Sequence, residues 1–143
     1  MQLGAEEFEG FLGEMWLGVH EGAFLFEFPG GSILYTTEGT ERHGPWPLDE
    51  CSRCLLTWFD HGWINAFVLS DQLHRWAPDE DALWPDPSDE TARLVEPGRA
   101  RAILAAPQTW TNDSAEGFVV LNPADHAPGS GFRQLWLDAV SPQ

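Results

Sequence analysis

The chain has 143 residues and a formal net charge of -16, from 23 acidic and 7 basic side chains. Hydrophobic residues make up 43% of it, which excludes an intrinsically disordered chain despite the charge. A surface this negative repels phosphate groups, so the charge argues against binding to nucleic acids or anionic membranes and favours a basic partner. The length fits one domain, over residues 1–143, with a hydrophobic core of its own.

The first predicted element is a helix over residues 5–19, because its apolar side chains recur at the spacing of one helical face. These side chains are Phe8, Phe11, Leu12, Met15, Trp16 and Val19. Two runs rich in aromatic and β-branched residues then flank residues 29–32, whose proline and glycines predict the turn of a β-hairpin. Residues 37–47 are rich in glycine and proline and are predicted to be a loop.

A second helix is predicted from Pro47 to residue 61, with Gly62 just past its end. Residues 63–69 follow and are largely apolar on both alternating faces, which predicts a central strand covered on both sides. A glycine that joins a helix to a strand in this way also occurs in winged-helix domains. A winged-helix-like core is therefore one form that this fold could take.

The second half of the chain is predicted to hold short elements, since three prolines interrupt residues 70–90. The elements are helices over 89–95 and 98–106 and strands over 117–122 and 132–140. Strands do not alternate regularly with helices in this order. The predicted fold class is therefore α+β, a mostly antiparallel sheet packed with three to four helices.

Cys51 and Cys54 form a single C-x-x-C pair. A zinc site would need further ligands, and the spacing of the candidates His43 and His61 fits no zinc-finger pattern. Both cysteines fall on the second predicted helix, and Cys51 belongs to its apolar stripe. We therefore expect two buried thiols that act as small hydrophobic residues, with no bound metal and no disulfide.

The sequence contains neither a G-x-S-x-G nucleophile elbow nor a glycine-rich phosphate loop, so we assign no catalytic residue and expect no cofactor. An alternative stays open, because the chain has 8 tryptophans. It is a small enzyme or a ligand-binding protein with an aromatic-lined pocket, in which Asp60 or Glu27 would act as acid or base.

The predicted partner-binding surface is the segment 76–90, where tryptophans and acidic residues lie between prolines. Its binding residues are predicted to be Trp76, Asp79, Glu80, Asp81, Trp84, Asp86, Asp89 and Glu90. Tryptophan faces stack on guanidinium groups and carboxylates pair with them, so such a segment suits a basic protein. The alternative is that Trp76 and Trp84 pin a surface loop to the core.

In its size, its acidity and its lack of catalytic motifs, the chain resembles small immunity proteins that inhibit toxic enzymes. The resemblance implies an inhibitor that covers a basic protein partner, such as a toxin enzyme. The negative charge predicts that it binds neither nucleic acid nor membranes. The first residues are acidic where a secretory signal would be basic, so we expect a cytoplasmic protein.

Overall fold

The computed structural model describes residues 4–85 and 91–140, and its α-helices largely follow the sequence pattern. The α-helices are α1 (Ala5–Glu21), α2 (Leu48–Asp60), α3 (Pro97–Leu104) and α4 (Arg133–Asp138). The first three confirm predicted helices. At the start of α3 the Glu96 carboxylate accepts hydrogen bonds of 2.9 Å from the backbone N–H groups of Gly98 and Arg99, as a helix cap should.

The strands form two antiparallel sheets, which confirms the α+β fold class. The strands are β1 (Ser32–Thr36), β2 (Gly39–His43), β3 (Ile64–Leu69), β4 (Leu83–Pro85), β5 (Ala92–Val95) and β6 (Val120–Pro123). The first two make a separate hairpin, and the others form one sheet in the order β4-β5-β3-β6. As predicted, β3 is an interior strand.

The predicted hairpin around residues 29–32 is wrong. Its first arm forms a 3-10 helix over Leu25–Gly30, and the real hairpin begins where the predicted turn ended. The carboxylate of Glu27 accepts a hydrogen bond from the Phe24 N–H at 3.1 Å, which fixes the first turn of that helix. The predicted loop over residues 37–47 consequently contains β2.

Two further predictions are corrected in the second half of the chain. The helix predicted over 89–95 is wrong where the structure describes it, because Ala92–Val95 forms β5. The segment predicted as a strand over 132–140 instead contains the helix α4, in which Trp136 and Leu137 are buried, and the buried Val140 follows its end. Their spacing places them on one helical face, and a strand would have sent the first two to opposite faces.

The glycine joint predicted between α2 and β3 is confirmed. Gly62 has φ of 76°, and the Trp63 N–H donates to the Trp58 carbonyl at 3.0 Å across the turn. The strand that follows buries alternate residues on one face. Its other face carries the exposed Asn65, so the expectation of a strand covered on both faces is wrong.

The core is centred on Trp58, which is fully buried together with Trp136. The indole N–H of Trp58 donates to the backbone carbonyl of Trp136 at 2.8 Å, and the two rings meet edge to face at 5.3 Å. This contact joins α2 to α4, and α4 packs against α1. In the residues that the structure describes, none of the helices combines the length and hydropathy that crossing a membrane requires.

Replacing Trp58 by Phe should lower the free energy of unfolding by about 1–3 kcal/mol, because the Trp136 carbonyl then stays buried without its donor. Urea denaturation measured by circular dichroism gives the value. Trp84→Phe is the matched control, because that ring is 44% exposed and its replacement should change stability little. Equal effects of the two substitutions would contradict the central role of Trp58.

Candidate functional site

The structure separates the two tryptophans of the predicted binding segment. Trp76 is 2% exposed and belongs to the core, so it pins the segment and offers no surface to a partner. Trp84 lies on the outer strand β4 and is 44% exposed, with Asp81 exposed nearby in sequence. Of the other predicted binding residues, Asp86, Asp89 and Glu90 lie outside the described residues, and the side chains of Asp79 and Glu80 are not described. Their role stays a prediction.

The two cysteines are free thiols in the core, as predicted for small buried residues. Burial raises the pKa of Cys51 to about 12, and the neighbouring charges of Asp49 and Glu50 add to the rise. Burial also raises the pKa of Cys54 well above its ordinary value. Within residues 4–85 and 91–140, no three His, Cys, Asp or Glu side chains are grouped to hold a metal ion.

The two candidate acid–base residues have other partners. Asp60 is held by Arg101, whose Nε and Nη2 atoms both donate to its carboxylate at 3.0 Å. Glu27 caps the 3-10 helix by accepting from the Phe24 N–H. Its carboxylate is nevertheless exposed, and it lies at the edge of a groove that sequence reasoning missed.

This groove, which we call the α1 groove, runs between the second half of α1 and the 3-10 helix over Leu25–Gly30. Its volume is about 210 Å³. Its lining residues are Glu14, Met15, Leu17, Gly18, Glu21, Ala23, Glu27, Phe28 and Gly31. The lining therefore combines an apolar floor with three carboxylates.

The floor of the groove depends on a glycine inside α1. A Cβ atom on Gly18 would lie 2.6 Å from the nearest ring carbon of Phe28, which is closer than carbon atoms pack. The missing side chain therefore lets the Phe28 ring lie directly against the helix backbone. A glycine in a helix interior often marks such a close contact.

The three carboxylates come from two elements, and in the described part of the chain none of them forms an ion pair. Glu14 and Glu21 are two helical turns apart on α1, and Glu27 faces them from the 3-10 helix. The groove thus presents three carboxylates above an apolar surface.

A second cleft continues the same side of α1 toward its N-terminus and has a volume of about 320 Å³. Its lining residues are Glu6, Glu7, Gly10, Arg42, His43, Gly44, Pro45 and Trp46. The α1 residues that line the groove and this cleft form one stripe along the outer side of the helix. They include Glu7, Gly10, Glu14, Leu17 and Glu21. The heptad spacing of the three glutamates in that stripe was readable in the sequence. The position of Glu27 and Phe28 beside α1 could not be predicted from the sequence, because it depends on the tertiary fold.

The buried thiols should not react with a soluble disulfide reagent in native buffer at pH 8, and both should react after unfolding in guanidinium. The reason is that the raised pKa keeps each thiol protonated and the core excludes the reagent. Above pH 9 the unfolded chain releases these protons and the folded chain keeps them. Stability should therefore fall as the pH rises from 9 toward 12. Rapid native reaction of one thiol per chain would contradict the assignment.

Comparison of the chain with family models, with curated proteins and with solved structures found no match.

Proposed function

We propose that this chain is a binding protein, of the inhibitor type, that engages a basic protein partner through the α1 groove. The observation that carries the proposal is the combination of an apolar floor with three carboxylates that form no ion pair with any residue that the structure describes. An arginine or lysine side chain has the complementary structure, an apolar stem and a cationic end. Its stem would lie on Phe28 and Leu17, and its charge would face the glutamates.

The size of the groove supports a side chain as the occupant rather than a whole small molecule. Its volume of about 210 Å³ lies below the range of roughly 300–1,000 Å³ typical of small-molecule sites. A groove of this shape therefore suits a protruding residue of a larger partner. Beyond the groove, the net charge of -16 would steer a basic protein toward the molecule and speed its association.

The same charge is unfavourable for phosphate-rich ligands, so nucleic acid is not the partner we propose. A toxin enzyme is the kind of basic protein that the resemblance to immunity proteins suggests, and the cytoplasm is the compartment that suits two free thiols. The alternative of an aromatic-lined enzyme pocket gains no support from Asp60, because Arg101 holds its carboxylate.

The test uses a peptide of three Arg-Val repeats, acetylated and amidated, against the same peptide with citrulline for arginine. Citrulline keeps the shape of arginine and removes the charge. We expect the arginine peptide alone to bind, with an affinity that falls as salt rises, and to shift the NMR signals of Leu17, Gly18 and Gly31. Equal binding of the two peptides would contradict the proposal.

Substituting Glu14, Glu21 and Glu27 together by Gln should lower the affinity for the arginine peptide about tenfold, because each exposed charge contributes a fraction of a kcal/mol to binding. The matched control changes Glu9 to Gln and Asp71 and Asp125 to Asn, which alters the net charge equally at exposed positions outside the groove. Equal weakening in both variants would show only general attraction. Signals that shift only at Asp81 and Trp84 would instead favour the segment 76–90.

A further inference from the structure

The strand edges of this protein are unequally protected against pairing with another chain. The outer strands of the four-stranded sheet both end in proline, Pro85 in β4 and Pro123 in β6. The free edge of β2 carries a run of charged or titratable residues, Glu41, Arg42 and His43. Proline and charge are the usual devices that block an exposed edge. β1 has neither.

β1 (Ser32–Thr36) combines an open edge with exposed apolar side chains. In the described residues it is hydrogen-bonded to β2 alone. Ile33 and Tyr35 are 53% and 78% exposed and lie on the same face of the strand. A two-stranded sheet is marginal by itself, and a third strand would satisfy its open backbone groups and cover these side chains.

The root of the hairpin is held firmly beside the α1 groove. A Cβ atom on Gly31 would overlap the carbonyl oxygen of His43, so the two ends of the hairpin meet without side chains between them. The Trp46 N–H donates to the Pro29 carbonyl at 2.8 Å next to this crossing. Gly31 lines the α1 groove, whereas His43 at the end of β2 lines the other cleft. The open edge of β1 therefore begins at the groove.

The charges around β1 indicate which chain would add to it. The strand is uncharged, but Glu27 precedes it and the exposed Glu38 follows it in the hairpin turn. A second copy of this chain pairing antiparallel would bring the acidic end of one strand against the acidic end of the other. An extended segment with cationic side chains would meet opposite charge at both ends.

From these observations we infer that an extended, basic segment of the partner adds to β1 as a third strand, with one cationic side chain placed in the α1 groove. Main-chain hydrogen bonds to β1 would supply affinity, and the groove would select the charge. This inference rests on the proposed function and specifies how the partner binds.

The test compares the Arg-Val peptide with a peptoid of the same side chains, which has the same charge but no backbone N–H to donate. If the peptide adds to β1, the affinity of the peptoid should be at least about tenfold lower than that of the peptide. The peptide should also slow hydrogen exchange of the amides of Ser32–Thr36 that point away from β2. Equal affinity of peptide and peptoid, without protection in β1, would overturn strand addition and leave the proposed function standing.

A substitution in the protein gives a second measurement. Tyr35→Lys places a positive charge on the face of β1 and should lower the affinity for the basic peptide severalfold. The melting temperature should not change, because the side chain is exposed. Phe132→Lys is the control, since it changes the net charge equally at a site that is 63% exposed. Equal effects of the two variants would overturn a role for β1. If the unmodified protein does not bind the peptide at all, both the inference and the proposed function are overturned.

Discussion

The contact on which the rest of the structure depends is the one between Trp58 and Trp136. Two regions of the chain that are far apart in sequence meet there, since Trp63, close to Trp58 in sequence, also packs on the Trp136 ring at 5.3 Å. The indole N–H of Trp136 in turn donates to the Pro128 carbonyl at 3.0 Å. The indoles of Trp58 and Trp136 each fill the core with a large apolar ring and donate their N–H to a backbone carbonyl. α4 is held against α1 from this point, and α1 supplies one wall of the groove.

Most of the tryptophans stabilise the core, and the acidic residues give the surface its negative charge. Trp46, Trp58, Trp76, Trp110 and Trp136 are buried. The carboxylates on the outer side of α1 are a separate layer that the core does not need. The residues that fill the core and the residues that charge this surface are therefore different sets. Arginine side chains also contact aromatic rings. The guanidinium carbon of Arg75 lies 4.0 Å from the centroid of the Phe118 ring, and that of Arg133 lies 5.3 Å from the centroid of the Trp16 ring.

How much the sequence could predict depended on the length of each pattern. α1 and α2 repeat their apolar spacing over three turns or more, so their period was unambiguous. The nine residues that contain α4 offered too few positions to separate the two periods, and their aromatic content favoured a strand. Residues 23–28 have strong strand propensity too, but the Leu25 N–H donates to the Val119 carbonyl and Glu27 caps the turn. Such tertiary contacts override local preference. The groove needed Phe28 beside Gly18, a contact that no local pattern contains.

The single hydrogen atom that forms the side chain of Gly18 sets the depth of the α1 groove. The carboxylates are attached at other positions, so depth and charge are controlled by different residues. A methyl group at position 18 would displace the Phe28 ring and raise the floor while every glutamate stayed in place. Under the proposed function, the length of the side chain that the groove admits and the sign of charge that it favours would therefore be set by different residues. Substitutions at position 18 and at the glutamates could then change the depth and the charge of the groove one at a time.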